Sequence, residues 1–164
     1  MKKESIPFIL IILMGLCYIA LTVSMITLPI QPTLMTLVPS SEQPTVNITL
    51  YGGEISDHSF GYGFSPDSLS SPGPLLKFKT TDIVKITFIN TGKFPHTFII
   101  KDSHKDESNT FFNSAIGSTN NPILPAQSGT IIFRPERTGS YFYISQISSD
   151  AEFGMWGNVQ VPIN

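Results

Sequence analysis

Between Glu4 and Glu42 the chain carries no Asp, Glu, Lys or Arg, and that gap separates two stretches governed by different physics. Within it, Phe8 to Ile30 is a run of 23 residues whose side-chain polarity comes from a few hydroxyl groups. As a helix it would extend roughly 35 Å at about 1.5 Å per residue, enough to cross a hydrocarbon core of about 30 Å. Lys2 and Lys3 precede the run, and no basic residue follows it until Lys77. The positive-inside bias then leaves the N-terminus in the cytoplasm and places the rest outside. A cleaved signal peptide is the alternative, but its apolar region is usually about 7 to 15 residues long and ends at a small-x-small site. This run is longer and offers no Ala-x-Ala. The expectation is a single-pass protein of the cell membrane: residues 1–30 as cytoplasmic stub and anchor, 31–45 as linker, and 46–164 as a domain outside the cytoplasm.

The single cysteine, Cys17, falls in the middle of the apolar run. The region beyond it therefore has no thiol for a disulfide or for a thiolate–metal bond. Leaving out Lys2, Lys3 and Glu4, that region holds 8 Lys and Arg against 11 Asp and Glu. A nucleic-acid partner would want a basic face, so none is expected. The linker contains Pro32, Pro39, Pro44 and the pair Ser40-Ser41, with Leu34, Met35, Leu37 and Val38 making it apolar enough to lie along a membrane surface or against the domain.

From Val46 onward, short β-rich runs alternate with turn residues. Val46–Tyr51, Leu75–Lys79, Ile83–Asn90, Thr97–Lys101, Thr130–Arg134, Ser140–Ser145 and Asn158–Val161 read as strands. In Val84-Lys85-Ile86-Thr87-Phe88 the alternation is strict, which sends Val84, Ile86 and Phe88 to a core and Lys85 and Thr87 outward. Seven short strands without an amphipathic helix predict an all-β Greek-key sandwich. Asp102 to Ser128 reads as the longest irregular stretch, a place for a small helix or an exposed loop, with Lys101 to Glu107 a solvated loop. His58 and His104 read as surface residues. Asn47-Ile48-Thr49 fits an N-glycosylation acceptor, a three-residue pattern that often arises by chance.

Three segments together resemble a known family. Leu75 to His96 is similar to the cupredoxin stretch in which two strands lead to a histidine. Ala126 to Phe133 followed by Gly139-Ser140-Tyr141-Phe142-Tyr143 resembles the strand pair before the family's cysteine loop. Gly154-Met155-Trp156-Gly157 resembles the end of that loop. Gly53 to Asp57, Phe60 to Pro66 and Ser71 to Pro74 are similar to the N-terminal portion of membrane-attached cupredoxins of ammonia-oxidising archaea. The blue-copper loop of plastocyanin- and azurin-like members reads Tyr-x-Cys-x4-His-x4-Met, and its Cys and His, with the earlier His and the Met, hold copper. Laid on this chain, the resemblance keeps His96 and Met155 but puts Ser145 at the cysteine position and Asp150 at the second histidine.

Blue-copper chemistry depends on a His2Cys set with a long axial Met. Without the thiolate, His96, Asp150 and Met155 make at best a weak mixed N/O/S site for copper, so no resident cofactor is expected. Each retained residue also has a plainer role: Met155 and Trp156 as core, His96 as a hydrogen-bonded loop residue. No Gly-x-Ser-x-Gly elbow or phosphate loop is present, and no enzyme activity is expected. Three readings follow from the resemblance. One is a non-redox interaction module with a protein partner in a membrane complex; the others are a weak copper binder or carrier and an electron-transfer cupredoxin. The first accounts best for the missing ligands. On that reading Asp150 accepts a hydrogen bond from His96 or Ser145 and pins the loop without metal.

Overall fold

In the computed structural model the described residues are 43–103 and 110–163. The apolar run Phe8–Ile30, Cys17, most of the linker and His104 lie outside them. Among the described residues no helix is long and apolar enough to cross a membrane.

Eight strands form the domain: β1 (Val46–Ser56), β2 (Ser59–Gly63), β3 (Gly73–Lys77), β4 (Val84–Asn90), β5 (Ile99–Lys101), β6 (Ser128–Phe133), β7 (Gly139–Ile144) and β8 (Trp156–Val161). They make two four-stranded sheets, in the orders β2-β1-β4-β6 and β3-β8-β7-β5. The β1–β4 and β3–β8 pairs are parallel, and the remaining neighbours run antiparallel. Among the described residues, the one helical turn is Pro66–Ser68. This is the two-sheet β-sandwich the sequence pattern predicts.

Strand β4 shows why the layers close. Its burial alternates without a break, with Val84, Ile86 and Phe88 buried and Lys85 and Thr87 half-buried on the other face. Tyr62 from β2 of the same sheet, with Phe98 and Tyr143 from the facing layer, fills the middle of the sandwich. Tyr62 lies 5.7 Å from Phe88 and 5.0 Å from Tyr143 between ring centroids, both T-shaped, and Phe98 stacks on Tyr143 at 5.5 Å. Such pairs add about 0.5–1.5 kcal/mol each beyond their buried area.

Several strand expectations need correction. The first strand, expected over Val46–Tyr51, runs on through Gly52 and Gly53 to Ser56. A Cβ at Gly52 would come within 2.6 Å of the Phe88 ring and 2.7 Å of the Met155 methyl, so this glycine serves interlayer packing. The strand β2 escapes sequence detection because Gly61 and Gly63, on the face opposite Tyr62, are buried under Ser68 to Ser70 with no side chain to signal an alternating pattern. Lys101 is not the start of a solvated loop: it lies in β5 opposite Phe142 and is 2% exposed. The described part of the irregular stretch contains no helix. It is pinned instead by isolated bridges between Phe98 and Ile116 and between His96 and Ile123. Trp156 is half-buried and edge-on to Phe142 at 6.0 Å, outside the central core.

The chain joins the domain where Thr45 and Val46 bond to the Ile83 carbonyl. Eight residues further along β1, Glu54 reaches the segment before His96. At about 3.3 Å per strand residue, the two ends of the sandwich are roughly 26 Å apart. The candidate site belongs to the far end.

Candidate functional site

The far end is built by two loops. The first connects β4 to His96 and is held by two side chains. Asn90, fully buried, donates from Nδ2 to the carbonyls of Phe94 (2.7 Å) and Ile123 (2.8 Å) and accepts from the Gly92 amide at 2.9 Å. Glu54 accepts from the Lys93 amide at 2.9 and 3.0 Å and from the Phe94 amide at 3.2 Å. Both loop ends are thus tied to strands, and the backbone of His96 pairs with Ile123 in both directions. Neither Asn90 nor Glu54 stands out in the sequence, because their partners are backbone groups distant along the chain.

The second loop runs from Ser145 to Met155. The Ser145 amide donates to the Met155 carbonyl at 3.1 Å, and the Met155 amide donates to the Asp150 carbonyl at 2.8 Å. Gly154 makes the return possible. Its φ of +99° lies where side chains are strained, and a Cβ there would meet the Ser71 hydroxyl at 2.0 Å. Ser71 donates that hydroxyl to the Gly154 carbonyl at 3.0 Å.

Where the loops meet, three residues named from sequence come together. Asp150 Oδ2 lies 2.8 Å from His96 Nδ1 and accepts from Ser145 Oγ at 2.6 Å. All three are buried: His96 at 0%, Ser145 at 1% and Asp150 at 5% exposure. Because the same carboxylate oxygen takes both bonds, Nδ1 is the proton-bearing nitrogen of the ring. Ser145 Oγ in turn accepts from the Thr97 amide at 3.0 Å, the Thr97 hydroxyl accepts from the Gln146 amide at 2.8 Å, and the Thr97 carbonyl accepts from Tyr62 Oη at 2.6 Å. Burial pushes the Tyr62 hydroxyl well above the usual tyrosine range, and the nearby Asp150 and Tyr143 add to the effect. Tyr62 therefore stays protonated and keeps donating. Thr97 and Tyr62 were not singled out by sequence, although Tyr141, Tyr143 and Ser145 do share the inward face of their strand.

The cluster contains a serine, a histidine and an aspartate, but it is wired differently from a nucleophile relay. In such a relay the hydroxyl gives its proton to the imidazole and the carboxylate orients the far ring nitrogen. Here Ser145 and His96 both donate to the carboxylate, and the hydroxyl is sealed from solvent. His96 Nε2 is buried with no hydrogen-bond partner, against Phe60 at 5.5 Å between ring centroids.

The fourth residue, Met155, is fully buried, and its terminal methyl lies near Gly52 and the Phe88 ring. The residues present do not fit a thiolate-bound copper. A hydroxyl stands where the thiolate would be, and the inward nitrogen of His96 is occupied by a carboxylate. Among the described residues, no group of three or more His, Cys, Asp or Glu side chains could hold a metal ion.

Over this cluster lies a pocket of about 250 Å3, lined by Phe60, Phe94, Pro95, Ile147 to Asp150 and Phe153.

Two four-stranded sheets with this loop arrangement define a cupredoxin-like domain, related to blue copper proteins and multicopper oxidases. A multicopper oxidase family profile matches residues 69–162, more than half of the chain, and the chain belongs to that family. Among solved structures, auracyanin B is similar with a TM-score of 0.54 at 14% identity, over 76% of this chain and 94% of that protein. A rusticyanin variant is similar at 0.52 and 22% identity, over 73% of this chain and 79% of its own. The multi-copper oxidase of Pseudomonas thermotolerans matches at 0.53 and 16% identity, over 73% of this chain but 30% of the enzyme. The chain thus spans about a third of the first multicopper oxidases it matches. No curated protein matches it.

Proposed function

We propose that this protein is a membrane-anchored, extracytoplasmic cupredoxin-like domain that has exchanged its copper thiolate site for a metal-free polar lock, and that it serves as a non-redox interaction or accessory module of a membrane complex. The observation that carries the reading is the single Asp150 oxygen shared by His96 Nδ1 and Ser145 Oγ. A cation bound among these groups needs their lone pairs facing inward, whereas both the histidine and the serine point protons there. A buried carboxylate left unpaired would be costly, and two short bonds compensate it. The lock ties the Ser145–Met155 loop to the His96 loop and gives the far end a fixed shape without metal.

The anchor argument comes from the charge-free N-terminal run. A domain without redox or hydrolytic chemistry contributes by shape and binding, hence a non-enzymatic role.

Copper titration of the full chain tests the reading. With Cu(II) the wild type should lack the intense visible sulfur-to-copper absorption of a thiolate site, and its EPR spectrum should show no protein-bound copper at stoichiometric metal. The double variant Ser145→Cys, Asp150→His should acquire the band. Tight wild-type copper binding through His96, Asp150 and Met155 would instead favour a copper carrier.

A further inference from the structure

We infer that the pocket over the lock is a binding site for a small methylated ammonium cation, held by three phenylalanine rings and the outward oxygen of Asp150. The inference deepens the interaction-module reading and rests on the metal-free state of the lock.

The first support is the state of Asp150. Its Oδ2 is consumed by His96 and Ser145. Oδ1 receives no protein hydrogen bond, yet among the described residues the single buried polar side-chain atom without a partner is His96 Nε2. Oδ1 is therefore reachable from outside, and Asp150 lines the pocket. The second is the wall. Phe60 stands edge-to-face with Phe94 at 6.2 Å and 69° and with Phe153 at 5.9 Å and 83°, so it is flanked by both rings. Phe94 and Phe153 are 55% and 44% exposed, so their rings are open to a ligand. The backbone bond from the Phe60 amide to the Phe153 carbonyl, 2.9 Å, and the Glu54 clasp on Phe94 hold the rings in place before any ligand arrives.

Charge and polarity then select the occupant. An anion is repelled by the carboxylate. A neutral apolar molecule gains nothing from it. A primary ammonium brings three N–H donors into a wall that is mostly carbon and leaves some of them unpaired. A methylated ammonium spreads its charge over methyl groups, has few or no donors to satisfy, and is attracted to ring faces as well as to Oδ1. The same group is found in free solutes and in phospholipid headgroups. The phosphate of a headgroup would meet the Asp150 carboxylate, so we assign a free solute.

The test is calorimetric titration of the full chain, in a maltoside detergent, with choline chloride and with its neutral isostere 3,3-dimethylbutan-1-ol. Choline should bind saturably and the isostere at least about tenfold more weakly, the ratio expected for one ion-pair-strength contact. Phe94→Ala and Phe153→Ala, at exposed positions the fold tolerates, should each weaken choline about threefold to fivefold. Glycerophosphocholine should bind more weakly than choline, its phosphate being repelled by Asp150; tighter binding would move the source to a headgroup and overturn the free-solute assignment. Equal binding of choline and isostere, no saturation, or full affinity in both phenylalanine variants would overturn the site. These outcomes are independent of copper: a wild type without thiolate absorption and without choline binding leaves the lock standing and removes only the cation site.

Discussion

The middle of the sandwich and its far end are both buried, but they are held by opposite kinds of interaction. In the middle, Phe88, Phe98, Tyr62 and Tyr143 share contacts among many neighbours, and no single atom is indispensable. At the far end, one oxygen of Asp150 serves both His96 and Ser145, and Ser145 serves Thr97. The core is redundant and non-directional. The lock is sparse and directional, so it fails at a point.

The largest effect should come from the core. Phe88→Ala removes a fully buried ring between the sheets and should cost about 3–5 kcal/mol in denaturant unfolding. A loss below about 1 kcal/mol would mean that the layers are held mainly elsewhere and would erase the contrast.

Asp150→Ala should cost less, about 1–3 kcal/mol, because it strands the Ser145 hydroxyl and the His96 N–H. The measurement is the unfolding midpoint with chelator and again with Cu(II). The lock predicts the same loss in both, whereas a metal-binding role predicts a loss only with copper. A variant as stable as wild type in chelator would falsify the lock.

The smallest effect sharpens the link between the two regions, since Tyr62 belongs to both. Its hydroxyl is held far above the tyrosine value by burial, and Tyr143 is raised by burial as well. Unfolded tyrosines lose their protons near pH 10 while these two keep theirs. The unfolded state then binds fewer protons, so stability is full below about pH 10 and falls as pH rises from there toward the raised folded values. Each such tyrosine contributes a slope of about 1.4 kcal/mol per pH unit. Tyr62→Phe should flatten the alkaline limb by one tyrosine's share while costing about 1 kcal/mol at neutral pH through the lost bond to Thr97. An unchanged alkaline slope would show that the tyrosine ionises freely in the fold.

Much of this is legible in the chain itself. The strict period of Val84 to Phe88 determined a strand with one buried face, because side chains alternate and only apolar groups gain by leaving water. The resemblance of Ser145-x4-Asp150-x4-Met155 to the blue-copper loop implied a hydroxyl and a carboxylate at one end of the sandwich, and the absence of any cysteine beyond Cys17 ruled out thiolate chemistry there. Alternation and composition are properties that a sequence carries directly. The rest was decided by tertiary structure. Gly52, Gly61 and Gly63 carry no side chain, so their places in buried strands show only once the facing atoms of Phe88 and Ser70 are known. Burial of Lys101 came from strand pairing, which no local pattern encodes. Glu54 and Asn90 bind backbone amides and carbonyls, groups every residue has, so nothing in their neighbours' identities announces the contact. The sharing of one Asp150 oxygen between His96, 54 residues away, and Ser145 is a matter of tenths of an ångström. Hydrogen bonds depend on distance and angle between atoms remote in the chain, and those are settled only when the two sheets close.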